Sequence, residues 1–260
     1  MSFFSHFNGN KNFHKVFDHI YVIPESPFLD SNLYVLVDKN DLMLIDSGNG
    51  ITFDQNLKVI KNIFKSENNT EFKNEYIKKI IQTHCHVDHI LGLYKFLKII
   101  TPKPQIIASQ IEAAFIENAD KKVIVPIIGE IIGPMFSEVS ELINGAGIYP
   151  VNVDVKLNDG DYLKFGDFNF KIILTPGHTP GSICLYDENF KLIFTGDTVF
   201  TNGSFGRVDF PMGNGKDLVA SLKKLSDLNV NLLLPGHMNP VLKNGSKHIK
   251  LAYRIASSYL

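Results

Sequence analysis

Short apolar runs closed off by Gly, Asn, Asp or Pro recur along the chain. This pattern predicts strands at 19–23, 33–37 and 42–45, with the turn IDSGNG behind the third. Between 53 and 65 the period lengthens, and Phe53, Leu57, Ile60, Ile63 and Phe64 fall on one helical face. The segment YIKKIIQT then predicts a strand, 88–98 a helix, PQIIAS a short strand and 109–118 a helix. In the second half strands are expected within 151–157, 161–165, 168–174, 182–186 and 191–195. A helix over 215–227, a strand at NLLLP and a last helix over 246–258 complete the pattern.

Strands alternate with helices in both halves and no linker divides them, so 1–260 reads as a single domain. The segments LMLIDSG and KLIFTGD share a design, an apolar strand running into an Asp beside small residues, which hints at two related β-rich halves. Residues 123–148 (VIVPIIGEIIGPMFSEVSELINGAGI) stand apart as an apolar stretch broken by Gly and Pro. With the helix before it, this reads as a helical insertion at about 109–148. It is either a buried helix pair, or a lid or subunit contact, because so apolar a surface needs covering.

Composition narrows the picture. A chain of 260 residues with 44% hydrophobic residues can bury a sizeable core. A net charge of −1 offers no basic field to nucleic acid or anionic lipid. Two cysteines, Cys85 and Cys184, cannot build a disulfide framework, so a reducing, cytoplasmic compartment is expected. The N-terminal MSFFSHFNGNKNFHK is too polar for a signal peptide, and no apolar run approaches the roughly 18 residues of a membrane span.

The candidate chemistry lies in IQTHCHVDHILG at 81–92, where His84, His86, Asp88 and His89 crowd the seam between two apolar segments. In an extended segment His84 and His86 point one way, and Cys85 and Val87 the other. Asp88 and His89 then fall at a helix start, where free N–H groups favour an Asp. The two histidines alone could equally be hydrogen-bonded core residues. Four titratable groups together would repel or desolvate one another unless a cation neutralised them. Three later segments add His178 (ILTPGHTPGS), Asp197 (IFTGDTVF) and His237 (LLLPGHMNP), each behind a strand and beside glycines that permit tight turns.

This order, HxHxDH followed by His, Asp and His, resembles the metallo-β-lactamase superfamily over nearly the whole chain, from NLYVLVD and LIDSG to LLPGHMNP. The resemblance implies an α+β fold, an αββα sandwich with metals at one edge where strand ends meet. It implies a first metal on His84, His86 and His178, a second on Asp88, His89 and His237, and Asp197 bridging both. Asp46 would orient a ligand or the bridging water, making Asp46 and Asp88 the catalytic carboxylates. Two divalent ions are implied, zinc in first place with iron or manganese as alternatives, since imidazole does not choose among them. The chemistry implied is hydrolysis by a metal-bridging hydroxide. Asp stands at 197, where the penicillin-cleaving branch usually carries Cys, which argues against β-lactamase activity.

The stretch GDTVFTNGSFGRVDFP is similar to the glyoxalase II-like group, through Gly206, Arg207 and Asp209. Arg207 either ties down its loop or meets an anionic part of the substrate. Glyoxalase II proper carries a C-terminal helical domain that grips glutathione, whereas 23 residues follow His237 here. The expectation is therefore a thioester or ester hydrolase acting on a small molecule, without nucleic-acid or membrane partners and with a homodimer left open. The alternative is a persulfide dioxygenase-like enzyme with a single iron on His84, His178 and Asp197. Against it, the Arg that such enzymes carry shortly before the Gly-Arg pair is absent from TNGSFGR. A nuclease shares HxHxDH but needs a more basic chain, and a non-catalytic binding protein would not need all seven ligand positions.

Overall fold

Strands that are apolar on both faces must be covered on both sides, and the strands here are arranged so that each face meets a different layer. The computed structural model describes residues 12–27, 30–126 and 147–260. One sheet has seven strands in chain order: β1 (His14–Phe17), β2 (Ile20–Ile23), β3 (Leu33–Asp38), β4 (Asp41–Ile45), β5 (Ile77–Ile81), β6 (Gln105–Ser109) and β7 (Val155–Leu157). The other runs β12-β11-β10-β9-β8, from β8 (Tyr162–Phe165), β9 (Phe168–Leu174), β10 (Ile183–Asp187), β11 (Leu192–Gly196) and β12 (Leu232–Pro235). Strands β4 to β7 are parallel, as are β11 and β12, while the remaining pairs are antiparallel.

Alternation along each strand builds the layers. Tyr34, Met43, Ile45 and Ile107 of the first sheet face Phe170, Ile172, Phe194 and Leu234 of the second, forming the inner core. Leu33, Val35 and Leu44 face the other way. They pack under α1 (Phe53–Asn68) and α2 (Val87–Ile99), while α3 (Gln110–Asn118) and α4 (Lys121–Ile124) extend the same cluster. Cys184, Ile193 and Leu233 pack under α5 (Gly215–Ser226) and α6 (Gly245–Tyr259). The order helix, sheet, sheet, helix is the expected αββα sandwich. Tyr34 ties the sheets directly: its ring meets Phe194 edge-on at 5.0 Å, and its hydroxyl donates to the Pro235 carbonyl at 2.8 Å.

Several boundaries differ from the pattern. Strand β2 starts at Ile20 because His19 has φ +59°, which a strand cannot accommodate. Strand β1 was not anticipated, since His14 and Lys15 lie exposed on the sheet edge and carry little apolar signal. The expected strand over 151–157 narrows to Val155–Leu157, while Val151 and Val153 pack into the helix-side cluster. The reading of 123–148 as buried pair, lid or subunit contact falls mostly on 127–146, outside the described residues. Helices α3 and α4 occupy the start of the expected insertion. Among the described residues no helix is long and apolar enough to cross a membrane.

Candidate metal centre

The ends of four strands deliver the polar cluster to one edge of the sandwich. Strand β4 runs into Asp46 and β5 into 84–89; β11 leads to Asp197 and β12 to His237, while the turn between β9 and β10 supplies His178. His86 is the residue before α2, with extended backbone, so Asp88 and His89 occupy the first turn of that helix as its free N–H groups favour. Asp46 adopts a left-handed φ of +60°, a conformation Asp tolerates.

His178, His89 and His237 are each aimed by a partner on the far side of the ring. His178 Nδ1 lies 2.7 Å from the Arg207 carbonyl, so it carries the proton and turns Nε2 inward. His89 Nδ1 lies 2.8 Å from Asp46 Oδ2. His237 Nδ1 lies 2.6 Å from Glu25 Oε2. Asp46 also accepts the Thr83 N–H at 2.8 Å, next door to His84. It stands behind His89, so of its two expected roles the geometry supports orienting a ligand.

Inside the cluster, the ligand atoms converge on one small volume. His86 Nδ1 and His178 Nε2 are 2.8 Å apart. Asp197 Oδ1 lies 3.2 Å from His89 Nε2, and its Oδ2 lies 3.6 Å from His178 Nε2 and 3.3 Å from His237 Nε2. Asp88 Oδ2 is 3.2 Å from His237 Nε2. Yet His84 Nε2, His86 Nε2, His89 Nε2 and Asp197 Oδ1 are buried with no hydrogen-bond partner. Orphaned buried nitrogens and oxygens of this kind are costly, and a cation would satisfy them. Three groups can hold one: His84 with His86 and His178, His84 with His89 and Asp197, and Asp88 with His89 and His237. In each, the ligand atoms lie within 4.8 Å of one another. The donors are imidazole and carboxylate, a set that suits a divalent transition ion. All seven residues expected to bind metal are thus brought together, with Asp197 touching both sides.

Charge follows the same logic. Burial, reinforced by His89, holds the His84 imidazolium far below its usual range; burial and His178 bring His86 down to about 3. Both are therefore neutral, the form that binds metal. Burial alone would raise Asp88 and Asp197, but neighbouring imidazoles outweigh it. His89 and the His237 hydrogen bond bring Asp88 to about 2, and His237 with His89 holds Asp197 well below the carboxylate range. Burial would lower His89 and His237, yet Asp197 and its companion carboxylates raise both. Protons on these two imidazoles do in the metal-free cluster what cations would do in the loaded one.

The cluster floors a cleft of about 660 Å³ whose walls include Val87, Pro126, Phe200, Phe205 and Phe210. Arg207 lines it too. Its guanidinium grips Asp209 in a fork (2.8 and 2.5 Å) and lies 4.4 Å from the centre of the Phe210 ring, so the geometry supports the loop-tying role. Cys85 and Cys184 both turn away into helix-side cores, and burial pushes both thiols up.

Two carboxylates in this architecture carried no sequence signal for their role. Glu25 sits in a turn-like PESP segment, far from His237 in the chain. Glu112 accepts from Cys85 N–H (2.9 Å), Thr179 Oγ (2.8 Å) and Gly181 N–H (2.9 Å), fastening the His84–His86 loop to the His178 loop. The S-x-x-E spacing of Ser109 and Glu112 signals a helix cap, and Ser109 does cap α3. It does not signal the clasp.

Comparison with known proteins shows the family and the fold. The chain is 30% identical over 185 residues to the acyl-coenzyme A thioesterase MBLAC2 of Gallus gallus, covering 69% of this chain and 61% of that one. It is 42% identical over 94 residues to the hydroxyacylglutathione hydrolase GloC of Haemophilus influenzae, covering 33% and 44%. It therefore spans less than two thirds of either relative. A metallo-β-lactamase family protein of Thermus thermophilus superposes with a TM-score of 0.67 at 20% identity, covering 94% of this chain and 80% of the other. Residues 26–237 match the family model of the metallo-β-lactamase superfamily, and with the sandwich and its edge cluster in place the chain belongs to that superfamily.

Proposed function

We propose that this chain is a binuclear metal-dependent hydrolase that cleaves a thioester or ester of a small molecule. The observation that carries the reading is the pair of ligand groups, His84–His86–His178 and Asp88–His89–His237, meeting at Asp197 on the floor of a largely apolar cleft. Two divalent ions held there, zinc first among the candidates and iron or manganese next, would supply a hydroxide at neutral pH and polarise the scissile carbonyl. The chain's own residues do the rest. Asp46 and the Arg207 carbonyl fix the ligating nitrogens of His89 and His178. Asp88, at the rim beside His237, would take the proton given up by the attacking hydroxide and pass it to the departing thiolate or alkoxide. Phe200, Phe205 and Phe210 exclude water and offer apolar area to an acyl chain, worth about 0.8 kcal/mol per buried methylene.

Thioesters are favoured by the relatives, an acyl-coenzyme A thioesterase and a hydroxyacylglutathione hydrolase. The completeness of the Asp88–His89–His237 group favours two metals over a single dioxygenase iron. The test is elemental analysis of gently purified protein together with thiol release from a panel of acyl-coenzyme A and acyl-glutathione thioesters. About two equivalents of metal per chain and release from at least one thioester are expected, with both lost in D197A. One tightly held iron with oxygen uptake and no hydrolysis would overturn the reading.

A further inference from the structure

His237 follows β12 of the five-stranded sheet, yet the group that aims it comes from the other sheet. Glu25, just past β2, spends both carboxylate oxygens on consecutive residues: Oε2 faces His237 Nδ1 at 2.6 Å and Oε1 accepts the Met238 N–H at 2.9 Å. Glu25 is itself fixed, its N–H donating to Asn32 Oδ1 at 3.0 Å. Asn32 in turn donates its side-chain amide to the Pro235 and Met238 carbonyls (3.0 and 2.7 Å) and its N–H to the Gly236 carbonyl (2.7 Å). The 235–238 turn is therefore held along its length by residues 25 and 32 of the seven-stranded side. In the neutral, metal-binding ring the proton sits on Nδ1, hydrogen-bonded to Glu25, and Nε2 turns its lone pair toward Asp88 Oδ2 and Asp197 Oδ2, at 3.2 and 3.3 Å. Three acceptors facing one another repel unless a cation lies among them, a metal ion in the loaded site or the imidazolium proton in the metal-free one.

We infer that Glu25 is a positioning residue of the second metal site: its carboxylate fixes which nitrogen of His237 faces inward and in what direction, so the rim loop after β2 sets the affinity of the Asp88–His89–His237 group without touching the His84–His86–His178 group. This deepens the two-metal reading and rests on it. Glu25 lines the cleft mouth as well, so it joins the metal floor to the substrate rim. A merely structural pin would act differently. Losing it would loosen the fold and weaken both metal groups together, whereas a positioning residue acts on one of them.

The experiment is equilibrium dialysis of metal-free wild type, E25A and E25Q against Zn²⁺, with bound metal counted and the metal-free melting temperature of each chain recorded. Wild type should take up two equivalents. E25A should bind the first as wild type does and the second ten- to a hundredfold more weakly, the effect expected when the partner of a ligating His is removed. E25Q keeps one acceptor oxygen for Nδ1–H and should fall between them, with a melting temperature close to wild type. Overturning results are an E25A that binds both equivalents with wild-type affinity, or an E25A and E25Q that lose both equivalents in parallel. A wild type that never takes up a second equivalent overturns the two-metal reading itself, which the wild-type isotherm alone reveals.

Discussion

Asp46 Oδ2 lies 2.8 Å from His89 Nδ1, and both side chains are buried. The same carboxylate accepts the Thr83 N–H at 2.8 Å, so one group fixes a ligating ring from α2 and the backbone beside His84. In D46N the left-handed backbone is tolerated, but the amide turns an N–H₂ toward one of two donors. Metal affinity and thioester turnover are expected to fall ten- to a hundredfold, read by dialysis and by rate at saturating metal. Normal values for both would reduce Asp46 to a turn residue.

Glu112 offers a pH-dependent test of the clasp between the two histidine loops. Burial outweighs the hydrogen bonds from Cys85 and Thr179 and raises its carboxyl above the usual value. A carboxyl raised by folding binds more protons in the native state than in the unfolded chain between its unfolded value, about 4.5, and its folded one. Stability contributed by Glu112 is therefore full below about pH 4.5 and declines as pH rises through that window. Gln does not titrate. The destabilisation of metal-free E112Q relative to wild type should be largest near pH 4 and shrink toward neutrality, as denaturant unfolding at several pH values would show. A difference that grows with pH would mean that the carboxylate form is the one folding favours.

Much of this site was legible because its ligands sit in short contiguous segments at strand ends. His84, His86, Asp88 and His89 span a single strand-to-helix turn, and local spacing alone aims them together. The sandwich was legible through the family resemblance that these same motifs carry, and strands such as Leu192–Gly196, buried on both faces, fit it because they need cover on both sides. What could not be read is what distance in sequence hides. Glu25 meets His237 across 212 positions, with no periodicity to announce it. Glu112 lies in the first turn of α3, and nothing local in the sequence points to its clasp on residues 85, 179 and 181. Strand β1 escaped because an edge strand with His14 and Lys15 in solvent has only half the apolar pattern.

Arg207 separates anchoring from substrate contact. Its fork to Asp209 is exposed, and such pairs contribute about 0.2–1 kcal/mol once screened by solvent. R207A should therefore melt within a few degrees of wild type. The guanidinium also lies over Phe210, whose ring centre is 5.5 Å from that of His86 in a T-shaped contact, so its loss frees one wall of the cleft. A several-fold rise in KM with kcat nearly unchanged is expected for thioesters. A fall in kcat with unchanged KM would show that the loop acts on the chemistry through the Arg207 carbonyl and His178.

Gly236 tests how closely backbone and ligand cage fit. A Cβ built on it would stand 2.4 Å from Asp197 Oδ1, 2.8 Å from His89 Cε1 and 3.0 Å from the Gly196 carbonyl carbon. Its N–H donates to the Gly196 carbonyl at 2.8 Å, so the β12 turn cannot retreat without breaking the junction with β11. In G236A the methyl must displace Asp197 or His89, and a shift of about 1 Å in a catalytic group can cost a hundredfold. Overpacking adds about 1–3 kcal/mol of destabilisation. The contrast is G160A, before β8, where φ is +88° but a Cβ meets nothing within 4 Å. That variant carries backbone strain without touching a ligand. G236A should lose bound metal and at least a hundredfold in turnover, whereas G160A should lower the melting temperature and keep its full metal content. If G236A retained two metals, or G160A lost them, the close approach at Gly236 would not be what shapes the cage.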